Sequence, residues 1–447
     1  MKRIIRILSL ILTVLVLMSD RIYVQGADIE DQVRDYIDEF RTQTRCTAVS
    51  VAIVRGDETY FYGDDEGLFR IGSMTKAFTA LAVRKLIGEG KLSEDDTVSA
   101  VLPGFTVTFE NEPCDITIGQ LLTQTSGFTN NEKVYPSASG TMTLMEWVDS
   151  MSGRELAFRP GTEYAYSNAN YNLLGAVIEQ VSGMSFQEYM EKEILTPLGL
   201  ENTYVQAPED TQNIIRGSKL GYRCSFEYDI PVAPGRIPAG YFYSNAEDMA
   251  RWICIWLGTA DIPEEYRGLV REIKDELTDT GDYTYGWELF ENGTIGHSGG
   301  TPDHSSRIVF SDENRIGVCV LTNMNVAAST DSLCNGIYSL CIGEGKAPLS
   351  TDVWTVFDLV FTALTAVCAV VLILTVFVKR RRVLLAASCI MLILLILICT
   401  VMPAVFGAGL RDIMFVWAPL SFAGGIFALA IDLIVTVIRL WMMRNDN

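Results

Sequence analysis

The spacing of apolar and polar residues divides the chain into three unlike stretches. After the basic segment Met1–Arg6, an apolar run from Ile7 to Met18 gives way to Val24-Gln25-Gly26. This pattern predicts a secretory signal over residues 1–26, cleaved after Gly26 or kept as an anchor. The stretch 27–342 mixes the two periods of globular structure. Ile29, Val33, Tyr36, Ile37 and Phe40 recur at helical spacing over 28–42. Val49–Val54 and Thr59–Tyr62 read as the strands of a hairpin. Apolar helical segments and long loops fill about 80–230; strands return near 284–290, 305–310 and 315–322, and a helix from Thr330 to Cys341 follows. Residues 343–352, beginning Gly343-Glu344-Gly345, read as a linker. Beyond it polarity collapses. Apolar runs of membrane-spanning length cover about 355–378, 383–407 and 413–438, within a region 353–440 that leaves 441–447 as a tail.

Charge gives these stretches a direction. Lys379-Arg380-Arg381-Arg382 separates the first two runs, and Arg439 and Arg444 follow the third. The bias of basic residues toward the cytoplasm puts both groups inside the cell, with the Arg411-Asp412 turn and all of 27–342 outside. Asp432 is expected to snorkel, or to pair with Arg439, at the inner interface. The whole chain carries a formal charge of −20, although both its ends are basic, so the middle stretch is strongly acidic. That argues against nucleic acid as a partner and against docking on anionic lipid. The expected partners are a small or peptide-like substrate and the bilayer crossed by the three runs. Whether those runs pair two copies into a homodimer is left open. No metal or cofactor is expected: His297 and His304 are the only histidines, and no Cys-x-x-Cys or His-Glu-x-x-His spacing occurs.

Three short segments carry chemistry. Ser73-Met74-Thr75-Lys76 opens an apolar helix, and i,i+3 spacing brings the lysine amine over the serine hydroxyl. A serine needs a neighbour to take its proton, and a desolvated lysine can do so. Tyr166-Ser167-Asn168 supplies a phenol for proton transfer and an amide that can grip another amide. His297-Ser298-Gly299-Gly300 precedes a strand, where glycines would let a substrate backbone lie along the edge. Taken singly, each segment also has a plain structural explanation: a solvated helix start, a core tyrosine and a hairpin turn.

In this order and with these flanks, the chain resembles the serine β-lactamase-related hydrolases: class C β-lactamases, D-alanyl-D-alanine carboxypeptidases, D-amino-acid peptidases and some esterases. The likeness runs from about 28 to 342 and includes Gly90-Lys91-Leu92-Ser93, Thr125-Ser126-Gly127, Pro238-Ala239-Gly240 and Leu321-Thr322-Asn323. It implies an α+β fold: an antiparallel sheet flanked by helices, an all-α lobe, and the active site between them, here followed by a three-helix transmembrane domain. It also implies Ser73 as the acylated nucleophile, with Lys76 and Tyr166 sharing base and acid work. Asn168 would hold the substrate amide, and the Ser73 and Gly300 N–H groups would bind the oxyanion. His297 would face the substrate carboxylate or the Tyr166 hydroxyl. Asp303 and His304, just past that strand, are expected to shape the specificity pocket. Gln124 stands where relatives often carry His.

The three C-terminal runs and the Phe415-Val416-Trp417-Ala418-Pro419 segment resemble the membrane-bound peptidases that remove an acyl-D-asparagine cap from natural products, the colibactin-maturing type. The resemblance implies a membrane-anchored peptidase or amidase acting on acylated D-amino-acid or peptide-like substrates. β-Lactamase, carboxypeptidase and esterase activities stay open, as does a non-enzymatic sensor or immunity module that is acylated but barely turns over.

Overall fold

Strict alternation along the first strand already specifies a sheet covered on both faces. Val49, Val51 and Ile53 enter one core and Ala52 and Val54 another. The structure, a computed structural model of the chain, describes residues 29–129, 141–208, 212–280 and 283–445. The expected signal over 1–26 lies outside the described residues.

Seven antiparallel strands form the central sheet: β1 (Val49–Arg55), β2 (Glu58–Gly63), β3 (Tyr283–Thr284), β4 (Trp287–Leu289), β5 (Ile295–Gly300), β6 (Ser305–Ser311) and β7 (Ile316–Thr322). Their order is β3-β4-β5-β6-β7-β1-β2, so the first strand pairs with the last, Val49 opposite Thr322. One face is covered by α1 (29–44) and α4 (Ala327–Ile342). The helical stripe of Val33, Tyr36, Ile37 and Phe40 packs there against Leu333 and Ile337. The other face packs on α2 (Thr75–Gly88), α3 (Asn168–Ser182) and the helical lobe, where Phe78 stacks on Trp252 with ring centroids 4.1 Å apart. The expected α+β architecture is therefore present, with one addition. His297–Gly300 is strand, paired along β6, and not a hairpin turn.

Three further helices are long and apolar enough to cross a membrane: α5 (Val353–Phe377), α6 (Arg381–Phe406) and α7 (Leu420–Asn445). The third begins later and runs further than hydropathy predicts. Ile413–Trp417 forms a separate π-turn, and Pro419, which has no N–H to donate, separates it from α7. The helix then continues to Asn445, so almost all of the expected tail is helical. Asp432 also departs from expectation. It is buried, its Oδ2 has no hydrogen-bond partner, and among the described residues no ion pair joins it to Arg439. Its carboxyl is hydrogen-bonded to Cys368 on α5.

Both ends of this bundle are defined. Asp358 near the start of α5 accepts hydrogen bonds from Ser421 Oγ (2.7 Å) and from the Arg223 N–H of the sheet-bearing domain (2.9 Å). At the far end Arg439 Nη2 lies 3.4 Å from the Val376 carbonyl, beside the basic turn.

Candidate active site

Ser73 sits in a 3-10 turn, Gly72–Met74, that leads directly into α2. Gly72 has a φ of 52°, and a Cβ there would stand 2.5 Å from Gly300 N. The turn therefore meets the end of β5 at a distance only glycine permits. Gly299 is as constrained: a Cβ would come within 2.1 Å of Ser306 Oγ and 2.2 Å of the Ile71 carbonyl. A Cβ on Gly300 would enter open space, so that glycine leaves the cleft unfilled. β5 pairs with β4 only at Ile295 and Gly296, which leaves the far edge of Ser298–Gly300 without a strand neighbour.

Lys76 is fully buried one helical turn on. Its Nζ lies 3.0 Å from Ser73 Oγ, 2.8 Å from Asn168 Oδ1 and 2.5 Å from the Ala239 carbonyl. Burial pushes this amine well below the ordinary lysine range. A neutral amine donates two hydrogens, so with two acceptors satisfied its lone pair is left for the Ser73 proton. Tyr166 completes the group: its ring faces Lys76 Nζ at 4.8 Å, and it hydrogen-bonds Ser73. Burial raises the Tyr166 phenol well above 10, against the pull of that hydrogen bond. A neutral amine beside a neutral phenol is the arrangement a low-dielectric site favours over the ion pair.

Gln124 fixes the tyrosine segment from below. Its side-chain oxygen accepts the Ser167 N–H (2.9 Å), and its carbonyl accepts the Ala165 N–H (2.9 Å). Ser167 then caps α3, which carries Asn168.

The remaining predicted residues fall elsewhere. His297 is buried behind the cleft in a ring triangle with Tyr166 and Tyr283, its Nδ1 2.6 Å from the Ser298 carbonyl. Burial, and then the nearby Lys76, bring it down to about 3. His297 does not line the cleft that would hold a substrate carboxylate, and its ring contact with Tyr166 fits the other half of the expectation. Ser298 turns its hydroxyl to Asp331 (2.9 Å) and Arg307 (2.8 Å). Asp303 is fully buried in an ion pair with Arg70 and accepts from Thr301 Oγ1 (2.7 Å). It does not line the cleft, so its expected role in the specificity pocket is corrected to a structural one. Burial opposes its ionisation, but His304 and Arg70 outweigh burial and hold the carboxyl down to about 2.

The cleft encloses about 730 Å³, its open mouth included, and Ser73, Asn168, Gly300, Arg236, Trp147 and Trp417 are among its walls. Arg236, the charged residue in that lining, carried no signal in the sequence beyond its place two residues before Pro238. Trp417 belongs to the π-turn that precedes α7.

A β-lactamase family model matches residues 33–336, about two thirds of the chain. The chain belongs to the β-lactamase family. This family of serine hydrolases includes relatives of several sizes. Protein flp of Staphylococcus aureus strain N315 is 32% identical over 271 residues, 58% of this chain and 53% of flp. The chain thus spans about half the length of the flp proteins it matches. Penicillin-binding protein 4 of Amycolatopsis lactamdurans is 26% identical over 283 residues, 59% of this chain and 74% of the relative. Among solved structures, the octameric penicillin-binding protein homologue from Pyrococcus abyssi superposes with a TM-score of 0.61 at 24% identity, covering 74% of this chain and 81% of that one. A class C β-lactamase in complex with cefoxitin gives 0.59 at 20% identity, over 70% and 99% of the two chains. At these identities the structural likeness establishes the fold.

Proposed function

We propose that the protein is a membrane-anchored, extracytoplasmic serine peptidase or amidase that cleaves acylated D-amino-acid or peptide-like substrates through a Ser73 acyl-enzyme. The observation that carries this reading is the Ser73 hydroxyl at 3.0 Å from a buried amine, partly exposed at the foot of a cleft. Lys76 takes the Ser73 proton as Oγ attacks the scissile carbonyl. The N–H groups of Ser73 and Gly300 receive the oxyanion, a contribution of about 3 kcal/mol per donor in comparable sites. Tyr166 gives its proton to the departing amine and regains one through Lys76. Water then enters by the same proton route and releases the acyl product. Asn168 shares its amide between Lys76 and the substrate.

Arg236 supplies the positive charge for an anionic group on the substrate, the role His297 cannot fill. Asp303 takes no part in substrate selection in this reading, because it faces Arg70. The proposed orientation is supported by the bias of basic residues toward the cytoplasm: Lys379–Arg382 and Arg439 lie at the end of the bundle opposite the Asp358–Ser421 contact with the serine-bearing domain.

The names of two relatives favour a second reading, a β-lactam-binding protein. The full-length protein should label with a fluorophosphonate, and Ser73→Ala should abolish labelling while retaining the fold. Turnover of acyl-D-amino-acid amides over nitrocefin and p-nitrophenyl esters supports the peptidase. A long-lived nitrocefin adduct with no amide cleavage would transfer the assignment to the second reading.

A further inference from the structure

The chemistry above leaves one set of contacts unused. The π-turn Ile413–Trp417 ends at Ala418-Pro419, and the last carbonyls of such a turn lack partners within the helix. The Phe415 carbonyl is instead taken by two donors of the catalytic domain, Lys219 Nζ at 3.1 Å and Tyr228 Oη at 3.0 Å. Lys219 is 3% exposed and lies over the Tyr228 ring at 3.9 Å. A lysine buried to this depth loses its hydration, and that cost persists only where the partners are fixed.

They are fixed by a hairpin, Ser218–Gly221 and Cys224–Glu227. At its base the Ser218 N–H and Oγ donate to the Asn323 carbonyl at 2.7 and 2.6 Å. At its tip the Arg223 N–H reaches Asp358 of α5, and Gly221 is packed so closely on Leu420 that a Cβ would stand 2.8 Å from the leucine Cβ. Two residues past the gripped carbonyl, Trp417 enters the wall of the cleft, which Ser73, Gly300 and Trp147 also line.

We propose that Lys219 and Tyr228 are positioning residues: by holding the Phe415 carbonyl they seat the Trp417 indole in the cleft as a subsite for an apolar group of the substrate. The membrane domain then completes the binding surface as well as tethering it. The two indoles suit an acyl chain or an aromatic ring. This inference rests on the reading of the cleft as an acyl-transfer site.

The test uses the full chain in lipid nanodiscs and a series of acetyl, octanoyl and tetradecanoyl amino-acid amides, with fluorophosphonate labelling of Ser73 in parallel. The wild type should favour the longer acyl groups. Lys219→Met, Tyr228→Phe and Trp417→Ala should each raise KM for the octanoyl amide about tenfold relative to that for the acetyl amide, erasing the preference for longer acyl groups. The Lys219 and Tyr228 effects should add to less than their sum, because both donors hold one oxygen. Trp417→Phe should keep most of the preference. An unchanged chain-length ranking in Trp417→Ala would overturn the proposal, and that variant decides the matter even if Lys219→Met does not fold. Absence of Ser73 labelling in the wild type would instead remove the hydrolase reading, a separate result.

Discussion

Lys76 Nζ stands 3.0 Å from Ser73 Oγ, and its other two partners are an amide oxygen and a main-chain carbonyl, neither of them charged. Burial without a counter-ion keeps the amine neutral, so kcat/KM should fall as the pH drops through its depressed pKa and the base is lost. Between that pKa and the unfolded value of about 10.4, the unfolded chain binds a proton that the native protein does not, so stability rises with pH there. Lys76→Met should cut turnover by on the order of 10²–10⁴-fold and flatten that slope. Thermal melts from pH 6 to 10 of the two proteins would check the second half.

His297 adds a dependence of the same sign in the acid range. Its native value of about 3 lies below an unfolded value near 6.5, so stability should fall as the pH drops from about 7 toward 3. His297→Gln should remove part of that loss. It should also leave the acid limb of kcat/KM where it is, since the limb belongs to Lys76; a limb that moves would return His297 to the proton path.

Asp303 holds Arg70 in the interior, with the more exposed Asp229 as a second partner of the guanidinium at 2.7 Å. Asp303→Asn leaves a buried cation short of charge and should cost about 3 kcal/mol of stability, read as a drop in the denaturation midpoint. Its native pKa near 2 places the pair's contribution above pH 4, lost as the pH falls toward 2. Ratios of kcat/KM between substrates should not change in this variant.

The two adjacent glycines of β5 should separate in mutagenesis. Gly299→Ala drives a methyl into Ser306 and Ile71 and should destabilise the fold by roughly 1–3 kcal/mol. Gly300→Ala meets no protein atom, should melt near the wild-type temperature, and should raise KM by filling the cleft. Denaturation curves and steady-state kinetics on the pair make the comparison.

Arg236 gives a test of substrate charge. Arg236→Gln should lower kcat/KM about tenfold or more for substrates bearing a carboxylate, the usual scale for losing a charge-assisted hydrogen bond, and should spare their neutral amides. Equal losses on both would assign Arg236 to packing.

Local chemistry made much of this site legible. An i,i+3 pair needs only a helix to bring Ser73 and Lys76 together, and short apolar runs rich in β-branched residues are enough to place β1 and β7. Tyr166 and Asn168 entered through family likeness, since nothing near them in the chain points at Ser73. The features missed are those set by distant neighbours. Gln124 was noted as a departure, yet its grip on residues 165–167 appears only in three dimensions. Asp303 reads as a loop carboxylate until Arg70, from before the nucleophile, is packed against it. The start of the third span was misplaced because averaged hydropathy does not register the missing N–H of Pro419. Asp432 reads as an interfacial carboxylate because its cysteine neighbour lies on another helix.

The grip on Phe415 passes through a main-chain oxygen, which gives it a practical corollary. A soluble fragment ending before α5 would retain the nucleophile, its amine and its phenol, and would react with small probes. It would lack Trp417 and with it one wall of the cleft, the apolar subsite proposed above. Profiles gathered on such a fragment would score reactivity faithfully and selectivity wrongly, and compounds optimised against it would miss the contact made by Trp417.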